Sequence, residues 1–236
     1  DWPFLYAGSK SSPLPSNHFN KIFICILIPL FWILFIFFQE AKDRLSGRGD
    51  TIHLEKIALG GLIGFSYGLL QSVIFQSFNL YVGRPILTLV GCILGLLAGG
   101  AIAVCLSKFL SYRACIASLA AAAAALMLVL KTSNSYFMIF AFENYFFRFI
   151  ALILVIIPIG ILASLAFPKL LDLLHGLKPE NNLLFFAMNL IGSAFGIFCA
   201  MEIALASGFG SVQFLAIVIY ASLAVILLLK SYRCPV

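Results

Sequence analysis

The chain has 236 residues, of which 63% are hydrophobic and only 10% are charged. Water-soluble domains have about 45–50% apolar and about 25% charged residues, so the composition excludes that class and predicts a polytopic membrane protein. The formal net charge of +6 comes without a basic run or an aromatic–basic array. It therefore favours basic loops in contact with lipid headgroups, and no nucleic acid partner is predicted.

In chain order, residues 1–20 form a Pro/Ser-rich linker, and residues 21–236 form the predicted transmembrane domain. The apolar runs in it are each near the ~20 residues that a bilayer requires. We predict an all-α transmembrane bundle of about seven helices, because lipid offers no partner for unpaired strand edges. The predicted spans are Ile22–Phe38, Ile57–Phe75, Pro85–Leu106, Ala114–Leu130, Phe146–Phe167, Leu183–Leu205 and Val212–Leu229. The Ala-rich fourth run and the short link GFGS before the last run are the least regular.

The positions of Lys and Arg predict an orientation. The more basic set of loops includes the 42–56 and 169–178 segments, and the positive-inside rule assigns this set to the cytoplasm. The N-terminus is then predicted outside and the C-terminus in the cytoplasm, in a bacterial inner membrane.

Three predicted helices carry small residues at every fourth position, which places them on one helix face. Such faces let two helix backbones approach closely in a membrane. We interpret them as packing faces, and a substrate path along the same faces is the alternative. The residues are Gly60, Gly64 and Gly68, then Gly91, Gly95 and Gly99, then Gly192, Gly196 and Ala200.

Three polar residues inside apolar runs are candidate functional sites. Asn189 lies one turn before Gly192 on the same face and is predicted to hydrogen-bond a neighbouring helix or a freed backbone carbonyl, with Gln71 as one candidate partner. Contact with a ligand is the alternative. An intramembrane carboxylate such as Glu202 is a functional hypothesis by default. It lies three residues before the end of its predicted run, about 4–5 Å of helix rise, so an interfacial position is favoured over a proton relay or cation site.

The fifth predicted helix contains Pro158, which is expected to kink it, and Pro168 at its exit. The following piece, 169–175, is short and amphipathic and suits the membrane interface. Glu143 and Arg148 are predicted to form an interfacial ion pair at the start of this helix.

No catalytic residue, metal site or cofactor is predicted. His18, His53 and His175 are scattered without metal-ligand spacing, and the six cysteines form no CxxC motif. The sequence has no G-x-S-x-G, GxGxxG or P-loop motif.

Several stretches resemble the membrane module of bacterial spermidine-synthase-like fusion proteins. These stretches are IPIGILASLAFPKLLDLL, FFAMNLIGSAFG, HLEKIALGGLIGFSYGLLQSVIFQSFNLYVGRP and the N-terminal DWPFLY. Gln71 stands near a position that is usually acidic in that family, and Met201 and Glu202 replace small or apolar residues. The resemblance implies an aminopropyltransferase-like domain upstream of Asp1, so no catalytic residue is carried onto this chain.

The favoured hypothesis is an anchoring or scaffold domain, which holds an upstream enzyme-like domain or the subunits of a membrane complex. The alternatives are a small-molecule transporter of the polyamine type and the membrane portion of an aminopropyltransferase-like enzyme. An external N-terminus would place the upstream domain away from cytoplasmic substrates. Either the helix count is then wrong by one or that domain no longer performs polyamine chemistry.

Overall fold

The computed structural model describes residues 52–132, 144–174 and 179–231, and these residues are helical, without a β-strand. The predicted linker 1–20, the first predicted span Ile22–Phe38, and Glu143, His18 and His175 lie outside them. The helices are α1 (Ile52–Val82), α2 (Pro85–Ser107), α3 (Tyr112–Thr132), α4 (Tyr145–Ser164), α5 (Ala166–Leu174), α6 (Pro179–Ser207) and α7 (Phe209–Ser231).

Five segments of the described residues are long and apolar enough to cross a membrane. They are Ala58–Asn79, Pro85–Ser107, Tyr145–Leu171, Leu183–Ser207 and Phe209–Leu229. The apolar part of α3, Tyr112–Leu128, is shorter. The all-helical fold is therefore confirmed for the described residues, and several long apolar helices are compatible with a membrane-embedded protein, while the count of about seven spans is not confirmed.

Helix α1 extends well beyond the span predicted from hydropathy. Its 31 residues correspond to about 46 Å, whereas the hydrocarbon core of a bilayer is about 30 Å thick. The helix continues beyond the apolar run at both ends, because polar residues also form helical backbone hydrogen bonds.

Glycine permits the abrupt link between α1 and α2. Gly83 has φ +72°, and its N–H donates to the carbonyl of Asn79 at 3.2 Å. This bond is typical of an α-helix that ends in a residue with the left-handed backbone conformation. Arg84 then caps α2, with Pro85 in its first turn, where the missing N–H has no intrahelical partner to lose.

Gly208 performs the same role between α6 and α7. It has φ +83°, and its N–H donates to the carbonyl of Ala204 at 3.0 Å. The predicted four-residue link GFGS is thus a single-residue link, because Phe209, Gly210 and Ser211 already belong to α7.

The fifth predicted span also ends differently from the prediction. Helix α4 ends at Ser164, and α5 begins at Ala166 after the single residue Leu165. Pro168 therefore lies in the first turn of α5, a position that tolerates proline, instead of marking the exit of the longer helix.

The chain divides into two compact units. The first contains α1 up to Leu69, α6, and α7 up to Val212. The second contains α1 from Leu70, helices α2 to α4, α5 up to Leu173, and α7 from Gln213. In α2, one face is buried and the opposite face exposes large apolar side chains such as Ile86 and Leu97, at 78% and 63%. Exposed apolar faces of this extent are typical of lipid contact.

Candidate functional site

In the first unit, the glycines of α1 lie directly against the backbone of α6. A β-carbon built on Gly60 would be 2.6 Å from the ring of Phe185, and one on Gly64 would overlap the carbonyl oxygen of Asn189. A β-carbon on Gly68 would overlap the carbonyl of Ser193. Each pair differs by 125 in residue number, so the two helices run parallel and remain in register over two turns.

The contact is reciprocal, because the glycines of α6 face the backbone of α1. A β-carbon on Gly192 would overlap the carbonyl oxygen of Gly61, and one on Gly196 would overlap that of Phe65. The Phe65 ring also lies 5.9 Å from that of Phe195, between ring centroids. Ala200, which completes the predicted small-residue face, is 1% exposed.

The second unit contains a parallel pair of the same kind, formed by α2 and α4. A β-carbon on Gly91 would be 2.6 Å from the Leu152 side chain, and one on Gly95 would be 2.9 Å from Ile156. Gly99 packs against backbone, since its β-carbon would be 2.6 Å from the Ile157 carbonyl oxygen and 2.9 Å from the Cα of Gly160.

The pair has a constant register. Gly91 faces Leu152, Gly95 faces Ile156 and Gly99 faces Gly160, each with a difference of 61 in residue number. Helix α3 also contacts α4. Because lipid tails are as apolar as the side chains, such close van der Waals contact is the main attraction between membrane helices.

The backbone of Asn189 takes part in the contact between α1 and α6. Its carbonyl lies against Gly64, while its side chain is half-buried. Gln71 lies seven residues beyond Gly64 on α1, about 10 Å of helix rise. The hydrogen bond between the side chains of Asn189 and Gln71 stays a prediction.

Gln71 belongs to a larger group that the sequence reasoning did not single out. The polar segment of α1, as we call it, consists of Gln71, Ser72, Gln76, Ser77 and Asn79. It lies in Ala58–Asn79, which has the lowest mean hydropathy of the five spans, 1.5, and the highest buried share, 72%. The repeated amide and hydroxyl residues in QSVIFQSFN were the available signal.

One interhelical hydrogen bond of the polar segment is present in the second unit. Nε2 of Gln213 in α7 donates to Oγ of Ser77 in α1 over 3.4 Å. Such bonds between membrane helices contribute about 0.6 kcal/mol on average. Helix α1 is therefore held by two different means, glycine contact with α6 near its N-terminus and hydrogen bonding to α7 near its C-terminus.

The remaining predicted residues lie apart from these contacts. Glu202 is half-buried on the last two turns of α6, six residues from Gly196. Pro158 is exposed on α4, which continues as a helix on both sides of it. Within the described residues, no group of three or more His, Cys, Asp or Glu side chains is placed to hold a metal ion.

No protein-family model, curated protein or solved structure matches this chain.

Proposed function

We propose that the chain is a membrane-embedded anchoring or scaffold domain, in which each of the two compact units contains a parallel, glycine-packed helix pair. One observation carries this proposal: partner backbone occupies the space beside Gly64, Gly68 and Gly99. A substrate path along these faces would need that space to be open. Close contact along two turns instead favours a rigid support.

The resemblance to spermidine-synthase-like fusion proteins supports the same role. In that arrangement the helices hold a soluble domain at the membrane, and the chain itself carries out no chemistry. An intact mass of the native polypeptide clearly above 25.8 kDa is the expected result for a fusion. A mass equal to that value would leave the complex-subunit form of the proposal.

Purification in mild detergent tests the scaffold role. We expect the wild-type chain to carry either an attached domain or a partner subunit in fixed stoichiometry. Gly64→Ala should release the partner subunit or loosen the domain, whereas Gly210→Ala should not, since a β-carbon there meets nothing within 4 Å. A chain that purifies alone at 25.8 kDa would contradict the proposal.

Transport of a small polar molecule is the second candidate, and the polar segment of α1 favours it. Amide side chains in the most buried span are unusual unless they serve packing or line a path. Neither paired broken helices nor an internal repeat, the usual signs of a transporter, was found in the sequence.

Uptake of labelled spermidine into liposomes distinguishes the two candidates. For a scaffold we expect uptake equal to that of protein-free liposomes. Saturable uptake that is abolished by Gln76→Leu or Glu202→Gln, and retained in Gly210→Ala, would establish transport in place of the scaffold role.

A further inference from the structure

The connection between α2 and α3 exposes a phenylalanine almost completely. Phe109 is 87% exposed, the largest value among the exposed large apolar side chains of the described residues. Ile102 and Leu106 are exposed as well, and with Phe109 they follow one another at spacings of four and three residues. The exposed apolar face of α2 therefore continues into the connection, and a continuous apolar surface of this kind indicates contact with a membrane or with another protein.

Hydrogen bonds fix the backbone of this connection. The N–H of Phe109 donates to the carbonyl of Leu106 at 3.0 Å. Ser111 caps α3, because its Oγ accepts a hydrogen bond from the N–H of Ala114 at 3.3 Å. Only residues 108–110 lie between the end of α2 and this cap. The short, hydrogen-bonded backbone thus holds the Phe109 ring outward.

The connection lies at the level where the two apolar helices end. The apolar span of α2 ends at Ser107, and the apolar part of α3 begins at Tyr112. The 23 residues of α2 rise about 34 Å, slightly more than the roughly 30 Å of the hydrocarbon core. A helix of this length that crosses a bilayer places its ends among the lipid headgroups, which occupy about 5–7 Å on each side.

The residue next to Phe109 is a cation. Lys108 is exposed at the end of α2, and no Asp or Glu occurs in the sequence from Pro85 to Thr132. A lysine can lay its methylene groups along apolar surface while its ammonium group reaches polar surroundings. An apolar protein pocket that covered Phe109 would also desolvate this charge, which is costly. A ring beside an exposed cation therefore fits an anionic membrane surface better than a protein pocket.

We propose that the α2–α3 connection anchors the protein in the headgroup layer of a membrane that contains anionic phospholipid. The Phe109 ring inserts below the phosphates, and the ammonium group of Lys108 binds the phosphate of an anionic lipid. A zwitterionic lipid attracts Lys108 less, because its headgroup carries its own cation. This proposal rests on membrane insertion and is independent of the scaffold role.

Fluorescence quenching in liposomes measures the depth of position 109. The chain has two tryptophans, Trp2 and Trp32, and both are replaced by phenylalanine in the full chain before Phe109→Trp is introduced. Brominated phosphatidylcholines are the quenchers, with bromine either near the glycerol or near the methyl end of the acyl chain. We expect the bromine near the glycerol to quench Phe109→Trp more strongly. Leu97→Trp, in the middle of α2 and 63% exposed in the wild type, should show the reverse order.

Three results would overturn the insertion of Phe109. Quenching of Phe109→Trp by aqueous iodide and by neither lipid would place the ring in water. Quenching by neither iodide nor the lipids would show that protein covers it. If Leu97→Trp is also unaffected by both lipids, then membrane insertion itself is wrong, and the proposal fails with its premise.

The role of Lys108 is measured with the same Phe109→Trp protein. Brominated phosphatidylglycerol and brominated phosphatidylcholine are compared as quenchers at the same low mole fraction. We expect phosphatidylglycerol to be enriched about fivefold around the fluorophore, the effect of one cation near an anionic surface. Lys108→Gln should abolish the enrichment, and Lys108→Arg should retain it because the charge remains.

The matched control removes an exposed cation at the opposite end of α2. Arg84 lies there, with its guanidinium carbon 4.2 Å from the centroid of the Tyr145 ring. Arg84→Gln should leave the enrichment of phosphatidylglycerol around Phe109→Trp unchanged. Equal losses in Arg84→Gln and Lys108→Gln, or no enrichment in the parent protein, would overturn the role of Lys108.

Folding of the variants is checked in the same preparation. In phosphatidylcholine alone, the melting temperature of the Lys108→Gln protein should equal that of its parent. If it is lower, Lys108→Arg decides, since it keeps the charge: loss of the phosphatidylglycerol enrichment in a stable Lys108→Arg protein would contradict the proposed contact.

Discussion

The carbonyl of Asn189 lies against Gly64 so closely that a β-carbon on Gly64 would overlap it. The residue that attracts attention as a polar side chain in an apolar helix thus makes its tightest contact through its backbone. The contact joins two parallel helices that are 125 residues apart in the chain.

Gly64→Ala is expected to destabilise the α1–α6 pair by about 1–3 kcal/mol, the usual range for overpacking. The obstacle is backbone on both helices, so a side-chain rotation cannot relieve it. Thermal unfolding in detergent measures the change. Gly210→Ala is the control, and alanine there should be neutral or stabilising because it favours the helix. Equal melting temperatures for the two variants would contradict the observed packing.

Adjacent residues of α2 provide a second test. A β-carbon on Gly99 would be 2.6 Å from the Ile157 carbonyl oxygen, whereas one on Gly100 would meet only the Ser164 Oγ, at an ordinary 3.6 Å. We expect Gly99→Ala to cost about 1–3 kcal/mol and Gly100→Ala to cost nothing measurable. The same unfolding assay applies, and the reverse order would show that α2 presents a different face to α4.

Asn189→Ala separates backbone contact from side-chain bonding. If the side chain hydrogen-bonds a neighbouring helix, its removal should lower the free energy of unfolding by about 0.6–2 kcal/mol. We expect a loss below about 0.6 kcal/mol, because the contact with Gly64 is made by backbone atoms that alanine retains. A larger loss would show that the Asn189 side chain bonds a neighbouring helix, as the sequence predicts.

The hydrogen bond between Gln213 and Ser77 is open to a double-mutant cycle. The single variants Gln213→Ala and Ser77→Ala and the double variant should give a coupling energy of about 0.6 kcal/mol, with about 1.7 kcal/mol as the upper limit. The 3.4 Å distance favours the lower value. A coupling energy of zero would mean that the two side chains do not interact in the membrane.

Gly83→Ala should destabilise the protein by about 1–2 kcal/mol, since the left-handed conformation strains a β-carbon. No neighbouring atom lies within 4 Å of that β-carbon, so the effect is purely conformational. Gly83→Asn should be milder, because asparagine tolerates this conformation better. If alanine and asparagine have the same effect, the loss has another origin.

Sequence reasoning found much of the helical framework but placed several boundaries wrongly. The limits of α2 agree with the prediction within one residue, because Pro85 starts the helix and the apolar run stops with it. At α1, hydropathy reported only the apolar part of a longer helix. At α5, Pro168 was taken as a stop although it lies in a first turn, where it loses no hydrogen bond.

One part of the candidate site is visible in the sequence, and another part is not. The four-residue spacing of the glycines is visible in the sequence, since it depends on helix geometry alone. The hydrogen bond from Gln213 to Ser77 was not visible, because it joins residues 136 positions apart. The meeting of Arg84 and Tyr145 depends on the register of α2 against α4 and was equally hidden.

The sequence by itself determined that the described chain is helical and apolar and that three of its helices carry faces of small residues. These properties are local, because the backbone of a membrane segment must satisfy its own hydrogen bonds. Only the tertiary structure decided which face each glycine meets. Gly64 and Gly68 of α1 meet the backbone of α6, whereas Gly91 and Gly95 of α2 meet the side chains of Leu152 and Ile156. Lipid tails and apolar side chains are equivalent as surroundings, so the choice of partner depends on shape in three dimensions.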